Sequence, residues 1–337
     1  MKVLALTDSL APWHSFWIRF GQYAKALPWA TTISGNVAAI EELGSGDRLL
    51  FYRYALEWGD LAARLQAARQ RGVLIFSDLD DYLWQANGWT RERLVGCTRA
   101  LRHCHAISCS TRPLLEQLNV MFPGVSLVLL PNTAPQLEAA TAASIAPEPN
   151  QPLRIGWTGA PWTRPGDLAL LRPLANWIAQ RPEQLRLVHV GHGQGHLGLA
   201  DALGLPSDLV EAHPLQGHGS YLQNLRFDIG LAPLAMSSFN HYKSPIKLIE
   251  YSTLGIPWLA SDVQPYRELC DQWQWCGRLC SSPEDWIEQL QPLLEPLRRR
   301  AEGMILQRLC QQHASYDSGV EGWTRLLSAN HWSSPRA

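Results

Sequence analysis

Phe227-Asp228-Ile229-Gly230-Leu231-Ala232-Pro233, followed after a short loop by Asn240-His241-Tyr242-Lys243-Ser244-Pro245-Ile246-Lys247-Leu248-Ile249-Glu250-Tyr251, leads from an apolar strand pattern into a helix with marked ends. Phe227–Leu231 takes its place as a strand in an alternation of strands and helices. Ser244 is a good N-cap residue, and Pro245 suits the first helical position, whose N–H is not needed. Gly255 suits the C-terminus and Pro257 the stop beyond it, so a helix is expected over residues 245–254.

The same strand-and-crossover rhythm extends outward in both directions. Upstream lie the strand Arg154–Thr158, a helix from Asp167 to Gln180, the strand Leu185–Val190 and a short helix near Leu197–Leu203. Downstream lie the strand Trp258–Ala260 and a helical stretch from Glu284 to Leu327. The first half repeats the pattern. Its strands are Lys2–Leu6, Arg48–Tyr54, Val73–Phe76, Ala106–Cys109 and Leu127–Leu130, and its helices Phe16–Ala26, Trp58–Arg71, Arg91–His103 and Pro113–Leu118. Between the halves, from about Ala134 to Pro152, the chain turns to Ala, Pro, Glu and Gln without apolar periodicity, as a linker does. The expected fold is α/β, with two Rossmann-like doubly wound parallel-sheet domains facing a cleft. The expected boundaries are 1–135 for the first domain, 136–152 for the linker and 153–317 for the second. A last helix, 318–330, is expected to pack back onto the first domain through the region of Trp323–Leu327.

Length and composition agree with this division. A chain of 337 residues with 46 % hydrophobic and 18 % charged residues can bury two cores and is not of the disordered class. A formal net charge of −1 gives no bulk attraction to nucleic acid or anionic lipid. The opening apolar run is too short for a secretory signal, and no stretch approaches the roughly 18 apolar residues needed to span a bilayer, so a cytoplasmic protein is expected. Seven irregularly spaced cysteines argue against a disulfide framework. Cys97, Cys104 and Cys109 with His103 and His105 resemble metal ligands, but His-Cys-His alternating along a strand point to opposite faces, so no metal site is expected.

Ligands of such sheets sit beyond the carboxyl ends of strands, in loops that open into helix N-termini. The helix start at Pro245 offers N–H groups and partial positive charge to a diphosphate. Lys243 and Lys247 are two of only four lysines in the chain, and both lie at this end. Lys247 and Glu250 share a helix face, and a carboxylate one turn above a phosphate site can accept hydrogen bonds from two vicinal ribose hydroxyls. A solvated surface helix whose Lys and Glu pair with one another fits the same spacing.

The stretch from Lys243 to Tyr251, continuing through Leu254-Gly255-Ile256-Pro257 to Ala260-Ser261-Asp262, resembles the donor-binding signature of glycosyltransferase family 4 and its GT-B relatives. Arg154-Ile155-Gly156-Trp157-Thr158-Gly159 resembles the opening of that family's C-terminal domain, and Val128-Leu129-Leu130-Pro131-Asn132 the end of its N-terminal domain. The resemblance implies transfer of a sugar from a nucleoside diphosphate donor to an acceptor, with retention and with neither metal nor cofactor. It implies that Glu250 is the second Glu of the family's Glu-x7-Glu motif and binds ribose, that Lys243 and Lys247 neutralise the departing diphosphate, and that Arg164 assists them. Asn240, Ser244, Pro245, Ile246, Thr158 and Gly159 are the further donor-binding candidates. Tyr242 stands where the motif has its first Glu, which in the family helps to hold the sugar. The partners implied are a nucleotide sugar and a carbohydrate, lipid or protein acceptor; peripheral contact with a membrane is compatible with Arg298-Arg299-Arg300, as is a plain solvated helix end.

In the first domain, Trp13, His14 and Trp17 follow the first strand and are acceptor-side candidates, although tryptophans in a chain with 15 of them also serve as packing. Phe76-Ser77-Asp78-Leu79-Asp80-Asp81-Tyr82 places carboxylates at a strand's end, where Asp80 and Asp81 can orient acceptor hydroxyls. Its Asp-x-Asp also resembles the nucleophile motif of haloacid-dehalogenase-type phosphatases, in which Asp78 and Asp80 would react. A third reading has one Asp capping the next helix. Loss of the first motif Glu also admits a catalytically silent protein that only binds a nucleotide sugar.

Overall fold

A computed structural model describes residues 1–11, 14–52, 60–86, 88–136, 151–191, 198–214, 222, 225–275, 277–329 and 332. The chain forms two compact units. The first contains Met1–Asn132, His241–Ser244 and Tyr316–Ala337; the second contains Thr133–Asn240 and Pro245–Ser315. Each is built on one six-stranded sheet.

The first sheet comprises β1 (Lys2–Leu6), β2 (Ala30–Ser34), β3 (Arg48–Tyr52), β4 (Leu74–Leu79), β5 (Ala106–Cys109) and β6 (Ser126–Leu129), in the order β2-β1-β3-β4-β5-β6. All its pairings are parallel. β3 is buried throughout and β4 nearly so, which is why Leu49–Tyr52 and Leu74–Phe76 read as continuous apolar runs. One face is covered by a core that includes Phe51, Leu65, Leu101 and Leu118, the other by Phe16, Phe20, Tyr52 and Phe76 together with Trp323 and Leu327 of the helix Tyr316–Ser328. Trp323 meets Phe20 edge-on at 4.9 Å and donates its indole N–H to the Arg19 carbonyl at 2.7 Å. Arg48 Nε donates to the Leu327 carbonyl at 2.8 Å. A side chain as fully buried as Trp323 contributes on the order of 3 kcal/mol, so this helix is an integral part of the first core.

The second sheet comprises β7 (Leu153–Thr158), β8 (Leu185–Gly191), β9 (Val210–Pro214), β10 (Ile229–Ala232), β11 (Trp258–Ser261) and β12 (Leu279–Cys280), in the order β12-β11-β10-β7-β8-β9, again parallel throughout. Helices cover both faces, with Leu174, Ile178 and Trp286 in one core layer and Leu248, Tyr251, Tyr266 and Leu306 in the other. The α/β class with two Rossmann-like parallel sheets is as the sequence predicts.

Several local expectations are corrected. The helix expected over Phe16–Ala26 ends at Arg19, and a 3-10 turn, Gly21–Tyr23, follows it. The helix expected over Asp167–Gln180 is two helices, Pro165–Ala169 and Arg172–Ala179, the second starting with Pro173 in its first turn, where no N–H is needed. The stretch Glu284–Leu327 is likewise divided, with Pro292 and Pro296 opening new segments and Ala314-Ser315 separating Pro296–His313 from Tyr316–Ser328. His103, Cys104 and His105 lie before β5 rather than on a strand. Cys97, Cys104 and Cys109 belong to the apolar core, where burial raises the Cys104 thiol and pushes that of Cys109 up to about 12. Most of the expected linker, residues 137–150, lies outside the described residues, as does Trp13.

Candidate functional site

In the second sheet the strand order turns back between β7 and β10, and a doubly wound sheet offers its crevice at the carboxyl ends of two such strands. β7 ends in Trp157-Thr158 and continues into Gly159, whose φ of +144° favours glycine. Gly191, at the end of β8, approaches so closely that a Cβ there would lie 2.0 Å from the Gly159 carbonyl oxygen. His189 donates from Nε2 to that same carbonyl at 2.9 Å and stacks on the Trp157 ring at 5.4 Å. Burial and the nearby Lys247 charge lower the His189 pKa, favouring the neutral ring.

The helix after β10 runs over Ile246–Thr253. Pro245 occupies its N-cap position without a side-chain cap, and the expectation that Ser244 caps the helix is overturned. Ser244 Oγ instead accepts from Asn132 Nδ2 at 2.6 Å. Ile246 opens the helix and Lys247 follows. The Lys247 ammonium donates to the Thr158 carbonyl at 2.5 Å and to Thr158 Oγ1 at 3.0 Å, and lies 5.6 Å from the centre of the Trp157 ring. Thr158, Gly159 and Lys247 are thus brought together. Glu250, one turn further on, is buried, and its charge acts on the neighbouring Tyr251 hydroxyl, which burial raises first.

Arg164 and Asn240 meet on a carboxylate the sequence did not single out. Asp167 is buried; its Oδ1 accepts from Asn240 Nδ2 at 3.0 Å and from the Ala235 N–H at 2.8 Å, and its Oδ2 lies 3.7 Å from Arg164. Asn240 Nδ2 also donates to the Ala235 carbonyl at 2.9 Å, so this amide holds the loop after β10 in shape.

Lys243 and Lys247, expected to share one helix end, take different partners. Lys243 pairs with Asp81 at 2.5 Å, within the first unit. Beside it Thr111 Oγ1 donates to the Tyr242 carbonyl at 3.0 Å, and the Tyr242 ring packs on Tyr82 at 4.6 Å. In place of the acidic side chain that the Glu-x7-Glu motif carries, this chain has a ring built into an aromatic cluster.

In the first sheet the strand order turns back between β1 and β3. Beyond these ends, His14 Nε2 lies 3.8 Å from Asp8, its Nδ1 accepts from the Phe16 N–H at 3.4 Å, and its ring meets Tyr52 edge-on at 5.7 Å. Asp8 and Tyr52 were not among the expected residues. Trp17 lies over Gly21 and meets Phe16 edge-on, a packing role. Asp80 and Asp81 follow β4 as predicted. Asp78, 1 % exposed, is bound by Arg19 through Nε at 2.8 Å and a terminal nitrogen at 2.7 Å, and accepts from Ser108 Oγ at 2.6 Å. Both its oxygens are engaged and it is buried, which argues against the nucleophile role of the phosphatase reading. Arg19 also donates to the Leu130 carbonyl and to Asn132 Oδ1, each at 2.8 Å, so the pair ties β4 to the end of β6.

No protein-family profile matches this sequence, and no curated protein matches it. Solved structures do resemble it. The Anabaena protein HepE, in complex with UDP and glucose, gives a TM-score of 0.68 at 15 % identity over 97 % of this chain and 99 % of HepE. TarM gives 0.62 at 12 % identity over 87 % of this chain and 57 % of TarM. The pneumococcal O-GlcNAc transferase GtfA, in complex with UDP and GlcNAc, gives 0.59 at 14 % identity over 87 % of this chain and 59 % of GtfA. The chain therefore spans little more than half of TarM and GtfA. At such identities the likeness is one of fold, and that fold is of the GT-B class.

Proposed function

We propose that this chain is a glycosyltransferase of the family 4 kind, which takes a sugar from a nucleoside diphosphate donor and transfers it with retention and without a metal. The observation that carries the reading is the anchoring of Lys247 on Thr158. It sets an ammonium group in the first turn of the helix Ile246–Thr253, at the switch point of the second sheet, with buried Glu250 one turn away. Diphosphate oxygens would bind the ammonium and the helix N–H groups. Ribose hydroxyls would donate to Glu250. Charge grows on the diphosphate as the sugar departs, and cations fixed in place stabilise that state more than the ground state. Lys243 and Arg164 are the further cations assigned to this task. On the first unit, Asp80, Asp81 and His14 with its neighbour Asp8 are assigned to the acceptor. HepE and GtfA were solved with UDP, which makes UDP the first nucleotide to test.

The packing of Tyr242 on Tyr82 favours one second reading, a protein that binds the nucleotide sugar without turning it over. Thermal shift with UDP, GDP, ADP and TDP, alone and as their sugars, addresses both. One nucleotide is expected to raise the melting temperature by several degrees, and Glu250→Ala to abolish the rise. Absence of any nucleotide-specific shift would sink both readings; a shift without release of free nucleotide from any of the sugars would leave only the second.

A further inference from the structure

The helix Pro296–His313 buries Gly303, Leu306 and Cys310 against the second unit. At 100° per residue, the side facing away from these carries Leu297, Arg298, Arg300, Met304, Ile305 and Arg308. Leu297 is 77 % exposed, Met304 57 % and Ile305 44 %, a concentration of large apolar side chains on one helix face. Around the helix, the three apolar residues lie in the middle of this arc, with Arg308 among them, while Arg298 and Arg300 occupy its two edges.

No carboxylate lies on this arc. Glu302 is turned toward the unit, where it pairs with Arg278 and lies 3.5 Å from Arg298. Glu295 caps the helix, accepting from the N–H groups of Leu297 at 2.9 Å and Arg298 at 2.6 Å. Although the whole chain is close to neutral, this face combines three guanidinium groups with three apolar side chains.

We propose that this helix face is a docking surface for an anionic lipid bilayer. Apolar side chains at the middle of the arc enter the boundary of the acyl chains, while arginines at its edges extend to lipid phosphates, the arrangement of a helix lying in the plane of a membrane. The face follows the outside of a single helix, and its three arginines call for an anionic partner. A nucleic acid would leave Leu297, Met304 and Ile305 without a partner. The proposal is independent of the catalytic reading.

The test is co-sedimentation of the full chain with phosphatidylglycerol–phosphatidylcholine vesicles and with vesicles of phosphatidylcholine alone. The chain is expected to bind the anionic vesicles, to be released by salt, and to leave neutral vesicles largely unbound. Two variants separate the contributions. Leu297→Ser with Met304→Ser and Ile305→Ser removes the apolar part, and Arg298→Gln with Arg300→Gln and Arg308→Gln removes the charge. Each is expected to weaken vesicle binding at least about tenfold, the arginine variant by up to about a hundredfold. Because every altered side chain faces outward, circular dichroism and the melting point should stay as they are. The proposal is overturned if the chain ignores anionic vesicles, or if the serine variant binds them as the unaltered chain does. It is also overturned if the serine variant instead abolishes self-association seen by sedimentation velocity, which would make the face a contact between copies.

Discussion

Lys243 Nζ lies 2.5 Å from Asp81 Oδ1, joining residues 162 positions apart in the chain, and both side chains are largely withdrawn from solvent. The pair holds the tetrapeptide His241–Ser244 within the first unit together with the Thr111–Tyr242 and Asn132–Ser244 hydrogen bonds. A double-mutant cycle on Lys243→Met and Asp81→Asn, read by chemical denaturation, should give a coupling of about 1–3 kcal/mol. A coupling below about 0.5 kcal/mol would mean that the two charges act independently.

Lys247→Ala deletes a charge bound to two oxygens of Thr158. Under the proposed function it removes a charged partner of the diphosphate, whose loss is worth about 1.5–3 kcal/mol. Isothermal calorimetry should therefore show UDP binding weakened roughly tenfold to a hundredfold. If binding is unchanged while the protein remains folded, the lysine belongs to the β7 turn alone.

At Gly191 even a methyl group has no room, since the Gly159 carbonyl would lie 2.0 Å away and His189 Nε2 2.6 Å away. Gly191→Ala must displace the Thr158–Gly159 turn. The expected destabilisation is about 1–3 kcal/mol, accompanied by loss of the nucleotide-induced thermal shift. Stability within about 0.5 kcal/mol of the unaltered chain would show that the turn yields easily and does not position Lys247.

His105 supplies a pH dependence. Its Nδ1 accepts from the Ile75 N–H at 2.9 Å, which requires the neutral ring. Burial, then the charge of Arg69, push its pKa from 6.5 down to about 4. Between these two values the unfolded chain binds a proton that the folded chain refuses, so this contribution to stability is complete above pH 6.5 and declines as pH falls toward about 4. His105→Asn keeps an acceptor for Ile75 without a titrating ring. Melting curves across this range should fall less steeply with acid in the variant; equal slopes would assign the acid sensitivity to other groups.

The central strands and the helix after β10 were legible because burial on both faces gives continuous apolar runs, and because Pro245, Gly255 and Pro257 mark a helix's limits. What escaped the sequence was mostly at the edges. β2, β9 and β12 all lie at sheet edges, and the first two, Ala30–Ser34 and Val210–Pro214, have no residue that is fully buried, so neither shows an apolar run. The helix Gln264–Gln272 was missed although Pro265, Tyr266, Leu269 and Cys270 are buried at helical spacing. At the site, the nearness of Lys247 to Thr158 follows from the switch-point rule. The roles of His189 and Asp167 do not, because each acts through a backbone loop whose shape no residue pattern announces. The Asp-x-Asp motif stays ambiguous in the sequence for a related reason. Asp78 is chemically what a nucleophile requires, but a partner 59 residues earlier, Arg19, makes it structural.

The helix Tyr316–Ser328 has a consequence for how this protein is made. Its Trp323 completes a core whose strands end with β6, about 190 residues earlier. At roughly 5–20 residues per second, a ribosome needs on the order of ten to forty seconds to cover that distance. Meanwhile the apolar surface of Phe16, Phe20 and Tyr52 lacks its cover, while the second unit, Thr133–Asn240 with Pro245–Ser315, emerges and closes on itself. The half synthesised first is therefore the half finished last, and the nascent first sheet is the stage at which a chaperone has most to protect.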